Sequence, residues 1–140
     1  FVSTTRAGRG AIPYVSSGTS GKPAPIFHDR RSLLANVAYG ERERRVVTAL
    51  VGRELDYREA TIGYPRGTID RVREFYREAT LFRRPRRVQL SVLSPFAEVA
   101  AALADFRPDV LAGFGNYLAA LARAAAGGEV SLPRPRVLIY

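Results

Sequence analysis

Cysteine is absent from the 140 residues, which removes disulfides, thiolate nucleophiles and cysteine metal sites. Histidine occurs once, as His28, so a histidine-based metal centre or catalytic triad has little to build on. Methionine is missing throughout, the chain starts at Phe1, and a strand-like pattern runs up to Tyr140; the expectation is a fragment of a larger protein. No run of about 18 apolar residues occurs, and Phe1 to Gly10 lacks the apolar stretch of a signal peptide. A cytoplasmic protein without a membrane partner is therefore expected. Lysine is almost absent: Lys22 stands alone against 21 arginines.

What is present is ample for a core, with 46% hydrophobic residues, and strongly basic, with a net charge of +9. Such a balance favours anionic partners: nucleic acid, anionic membranes, nucleotides or coenzyme A. The arginines are spread along the chain with acidic neighbours between them, and alanine is abundant, a combination that genome base composition alone can produce. The densest run, Arg83-Arg84-Pro85-Arg86-Arg87, has no interleaved aromatic residues to stack bases and reads as a solvated connector. A non-enzymatic basic domain that binds nucleic acid is thus the alternative rather than the first reading.

The first reading starts from Ser16-Ser17-Gly18-Thr19-Ser20-Gly21-Lys22-Pro23. Four hydroxyls and two glycines within residues 16–22 make a loop whose backbone N–H groups can approach an anion, because no Cβ obstructs Gly18 or Gly21. Lys22 adds a flexible point charge suited to a polyphosphate. The pattern departs from the nucleotide-binding loop that spaces its glycines five apart and follows Gly-Lys with Ser or Thr. Here Gly18 and Gly21 are three apart, and Pro23 offers neither hydroxyl nor N–H. Ala24-Pro25-Ile26-Phe27 suits an extended exit, so the loop is expected to join a strand at Ala11–Val15 to one at Ile26–Phe27 as the tip of a hairpin.

Further along, Asp29 is positioned to cap a helix over Arg30–Val51, with Leu33, Leu34, Val37, Ala38, Val47, Leu50 and Val51 as its core face. A catalytic His28–Asp29 pair is disfavoured, since the cap already accounts for the aspartate. A strand over Glu59–Tyr64 and a helix from Thr68 follow, the helix burying Ile69, Val72, Tyr76 and Ala79. Then comes a regular alternation. Val88–Leu93 reads as a strand, Ser94-Pro95 as a helix cap and first-turn proline, and Phe96, Val99, Ala100, Leu103 and Phe106 as an apolar stripe. A strand over Asp109–Gly113, a helix opening at Asn116 and stopped by Gly127-Gly128, and a strand over Arg136–Tyr140 complete it. Strand, helix, strand, helix, strand with short links predicts right-handed crossovers and one parallel sheet. Tyr64 and Phe114 are assigned to the core rather than to a substrate pocket.

Ser16 through Pro23 resembles the glycine-rich signature of the adenylate-forming (AMP-dependent synthetase and ligase) superfamily. The segment Phe106-Arg107-Pro108-Asp109-Val110-Leu111-Ala112-Gly113-Phe114 is similar to the Pro-Asp-Val-Leu-Gly-Tyr segment of its phenylacetate-coenzyme A ligase-like branch. Ala24 and Phe114-Gly115-Asn116 depart from the usual residues and mark a divergent member. The resemblance spans about Ala11 to Tyr140. It implies an α/β fold: part of the ATP-binding N-terminal domain over residues 11–140, after an irregular lead-in over 1–10, with a parallel βαβαβ segment and a glycine-rich hairpin loop. It also implies that a small-molecule carboxylate is activated with ATP to an acyl-adenylate and passed to coenzyme A. Ser16, Ser17, Gly18, Thr19, Ser20, Gly21 and Lys22 would hold the β- and γ-phosphates of ATP. The family's motifs for adenine, ribose and Mg2+, and its catalytic lysine, have no counterpart here, so no catalytic or metal-binding residue is expected in this chain, and the chain alone is expected to be inactive.

Overall fold

The computed structural model describes residues 12–16, 24–53, 56–65, 75 and 85–140. In order they form β1 (Ile12–Ser16), β2 (Ala24–His28), α1 (Arg30–Val51), β3 (Arg58–Gly63), β4 (Arg86–Ser91), α2 (Phe96–Phe106), β5 (Val110–Gly113), α3 (Gly115–Ala126) and β6 (Val137–Ile139). The described residues divide into two compact units. One holds the hairpin and α1 up to Arg42, and the other holds residues 43–65 and everything from Pro85 onward. The lead-in over 1–10, the loop residues 17–23 and, apart from the helical Phe75, the helix expected from Thr68 lie outside the described residues.

In the first unit, β1 and β2 pair antiparallel from Ile12↔His28 to Ser16↔Ala24. Pro13 and Pro25 are tolerated because each strand of a two-stranded ribbon has an open side that needs no N–H. α1 begins at a well-made cap, in which the N–H of Ser32 donates to Asp29 Oδ1 at 2.7 Å and the Ser32 hydroxyl donates to the Asp29 carbonyl at 2.9 Å. The core face of α1 is narrower than expected. Leu33, Val47 and Val51 are buried, but Leu34 and Leu50 are exposed, because they sit one residue beyond the stripe that meets a partner.

The second unit is a small α/β domain with a four-stranded parallel sheet in the order β4-β3-β5-β6. Alternation of side chains across the sheet produces two apolar layers. On one face, Ala60, Ile62 and Leu111 meet Val99 and Leu103 of α2 and Leu118 and Leu121 of α3, with Val88 and Leu90 packed against them. On the other, Tyr57, Val110 and Val137 meet Val47 and Val51 of α1, with Ile139 alongside. Fully buried Ile62, Leu103 and Leu121 each contribute about 1.5–3 kcal/mol by leaving water.

The expected strands at Val88–Leu93, Asp109–Gly113 and Arg136–Tyr140 lie in one parallel sheet; the first is displaced to Arg86–Ser91, and the other two are trimmed to Val110–Gly113 and Val137–Ile139. The strand at 58–63 takes the centre of that sheet. Arg86 and Arg87, expected in a connector, belong instead to the edge strand β4, where charge is tolerated and Arg87 pairs at 3.1 Å with Glu59, its register partner on β3. The opposite edge, β6, leaves Leu138 and Tyr140 exposed, while Ile139 is half-buried.

Two helix starts differ from expectation. Pro95, not Ser94, occupies the cap of α2, with no side-chain bond, because the Ser94 N–H is turned back to the carbonyl of Ser91 at 3.2 Å. Phe114 precedes α3, which opens at Gly115 rather than Asn116. The α3 stop is as expected: Gly128 takes φ +80, and the N–H of Glu129 reaches the carbonyl of Ala124 at 3.0 Å.

Candidate functional site

The hairpin fixes the ends of the glycine-rich loop. Ser16 is the last residue of β1 and pairs with Ala24, the first of β2, so residues 17–23 connect the two strands. Of the seven candidate phosphate-binding residues, Ser16 is therefore a strand terminus. Ser17, Gly18, Thr19, Ser20, Gly21 and Lys22 lie outside the described residues.

Asp29, just past the hairpin, is committed to the cap of α1. The Ser32 N–H, followed by the Ser32 side chain, holds its carboxyl below the ordinary value of 3.8. A carboxylate already accepting that bond is poorly placed to orient a neighbouring imidazole, which agrees with reading Asp29 as structural.

In the second unit the strand order fixes where the sheet reverses its connections. β3 continues to β4 on one side, whereas β5 continues to β6 on the other, so the connections leave the adjacent ends of β3 and β5 in opposite directions. Open parallel sheets offer a crevice at such a reversal, outside the carboxyl ends of the strands. Tyr64 follows β3 there and Phe114 follows β5, with ring centroids 5.7 Å apart at an interplanar angle of 61°. Their assignment to the core is corrected: Tyr64 is 59% and Phe114 49% exposed. Each ring emerges one residue past a strand, beyond the layers formed by the described elements.

Gly113 makes this approach of strands feasible. A Cβ there would lie 3.2 Å from the Ile62 carbonyl oxygen and 3.3 Å from the Ile62 Cβ. Near the same end of α3, Tyr117 packs edge-on against Phe96, with centroids 5.2 Å apart. Its hydroxyl is buried without a hydrogen-bond partner among the described residues, and burial raises its pKa. The repeated order of apolar strand, glycine and aromatic residue, in Ile62-Gly63-Tyr64 and again in Ala112-Gly113-Phe114, was a signal that could have located the ring pair.

Asp109, part of the second family-like segment, stands at the opposite end of the sheet and has a structural task. Its Oδ2 accepts the Arg58 N–H at 2.9 Å, its own N–H donates to the Arg58 carbonyl at 2.8 Å, and its carbonyl accepts the N–H groups of Arg136 and Val137. One residue thereby levels the starts of β3, β5 and β6.

Tyr57 is buried beneath α1, and burial, reinforced by the Glu59 charge, pushes its phenol above 10.0. Among the described residues no group of three or more His, Asp or Glu side chains could hold a metal ion. No described helix is long and apolar enough to cross a membrane. No family model and no curated protein matches the chain.

Proposed function

We propose that this chain supplies the ATP-phosphate-binding part of a carboxylate-coenzyme A ligase of the adenylate-forming type. The observation that carries the reading is the β1–β2 hairpin, whose closing pair, Ser16↔Ala24, makes the Ser/Gly/Lys sequence its connecting loop. The donor set fits a polyphosphate. Backbone N–H groups and hydroxyls from Ser16 to Ser20 donate hydrogen bonds, Gly18 and Gly21 permit close approach, and Lys22 supplies charge. Their contribution is to position the α-phosphorus for in-line attack by a carboxylate oxygen and to stabilise charge on departing pyrophosphate.

Coenzyme A, as acceptor, takes the acyl group from the adenylate with release of AMP. ATP is used with Mg2+, whose ligands come from residues other than those of this chain.

Carboxylate-dependent exchange of labelled pyrophosphate into ATP tests the reading in the intact protein. Exchange that requires a carboxylate, together with loss of exchange on changing the loop, is the expected result. Binding of nucleic acid that weakens steeply with salt and is indifferent to ATP, with no exchange for any carboxylate, would replace it by the basic-domain alternative.

A further inference from the structure

Leu111 of β5 and Leu138 of β6 are register partners and share one face of the sheet. α3 covers Leu111 with Leu118 and Leu121, but Leu138 remains 51% exposed. Between α3 and β6 runs a cleft of about 690 Å³, bounded on the helix side by the small residues Gly115, Ala119 and Ala122. Its upper end is narrowed by Tyr140: a Cβ built on Gly115 would stand 3.6 Å from that ring. Its lower end shares Pro108, Leu132, Pro133 and Arg134 with a second cleft of about 420 Å³, where Arg107, Arg134 and Arg136 gather around Asp109 and Ser131.

The charges at that lower end are unequal in reach. Asp109 already accepts the Arg58 N–H, Arg136 donates to the Val51 carbonyl at the end of α1, and Arg107 caps the end of α2. The carbonyl dipole at the end of α1 offsets part of the charge of Arg136, whereas Arg107 meets the end of α2 through its backbone N–H. Arg134 stands between Pro133 and Pro135, which restrict the backbone that presents it.

An aliphatic groove in the size range of small-molecule sites, narrowed at one end and cationic at the other, matches an amphiphile with one apolar tail and one anionic head. A guanidinium suits a carboxylate head because it can donate two parallel hydrogen bonds. We propose that this groove binds a free single-chain acyl anion, its tail along Leu111, Leu118 and Leu138 and its carboxylate at Arg134. A partner helix fits less well, since Tyr140 narrows the end through which its axis would continue. The site is separate from the ligase reading and does not rest on it.

The test is methyl NMR of the full chain titrated with octanoate, decanoate and dodecanoate below their micellar concentrations, with dodecylammonium as the cationic control. Expected are saturable shifts of the Leu118, Ala119, Ala122 and Leu138 methyls, binding that tightens roughly tenfold for each two added methylenes, and no change when ATP is present. Arg134→Glu should weaken dodecanoate at least tenfold while keeping the wild-type melting temperature. Leu138→Asp should remove the chain-length dependence. Equal binding of dodecylammonium, absence of groove shifts, or loss of dodecanoate binding on adding ATP would overturn the proposal, the last by placing the acyl chain in the ligase site. Binding only to anionic vesicles, or a concentration-dependent dimer that shifts the same methyls without ligand, would overturn it equally.

Discussion

The guanidinium of Arg136 donates a 2.8 Å hydrogen bond to the carbonyl of Val51, joining the start of β6 to the last turn of α1 across 85 residues of chain. A cation at a helix C-terminus meets the negative end of the helix dipole, and a partly buried charge-assisted bond is stronger than a neutral one. Arg136→Ala should therefore lower unfolding free energy by about 1–2 kcal/mol, read from urea denaturation. A loss below about 0.5 kcal/mol would show that water replaces the guanidinium without cost.

The loop should respond differently at its two kinds of position. If the loop holds ATP phosphates as proposed, Lys22→Ala should reduce pyrophosphate exchange about tenfold to a hundredfold, the loss of one charge-assisted contact. On the same reading Gly21→Val would put a branched side chain in the way of the phosphate and should reduce exchange further. Transfer from a supplied acyl-adenylate to coenzyme A should suffer less in both variants. Equal losses in the two half-reactions would make the loop a structural turn.

Asp29 links helix stability to pH. Its folded carboxyl titrates below 3.8, so the unfolded state binds the proton more readily. The stabilisation is complete above the unfolded value and disappears as pH falls through the folded one. Asp29→Asn keeps a capping oxygen and should remove this acid sensitivity without abolishing α1. Carboxyl NMR titration of the wild type checks the sign, since a midpoint above 3.8 contradicts it.

Gly113 and Gly115 should differ sharply in tolerance. Alanine at Gly113 brings its Cβ to 3.2 Å from backbone oxygen, which cannot swing aside, so a cost of about 1–3 kcal/mol is expected. At Gly115 the nearest contact is an ordinary 3.6 Å to the Tyr140 ring, and alanine favours the helix. Gly115→Ala should be neutral or stabilise by up to about 1 kcal/mol. Thermal melting of the two variants compares them directly.

Much of the fold was legible because it depends on neighbours in sequence. The bounds of α1 follow from the Asp29 cap and from the apolar spacing that ends at Val51, and the parallel sheet follows from strands alternating with helices. The hairpin was legible for a similar reason, since proline-rich extended segments flank a loop that cannot be helical. What was hidden depends on partners far along the chain. Nothing in Arg58–Gly63 alone says that it becomes the central strand, or that Arg87 will find Glu59. Leu34 and Leu50 satisfy helical spacing as well as Leu33 does, and only the packed layers distinguish them. Tyr64 and Phe114 were assigned inward on hydrophobicity, whereas their positions just past two strand ends leave them outside.

The central place of β3 also bears on how the chain assembles. β3 is the first strand of its sheet to be synthesised, yet both strands that flank it come later: Glu59 meets Arg87 across 28 residues, and Arg58 meets Asp109 across 51. Closing the longer loop costs only about 0.6 kcal/mol more than the shorter one, because loop entropy grows with the logarithm of length. Timing is therefore the larger difficulty, since non-local parallel pairing is slow. Until β4 and β5 arrive, Ala60 and Ile62 stand as an apolar strand with two open edges, the stretch of the nascent chain most in need of protection from its neighbours.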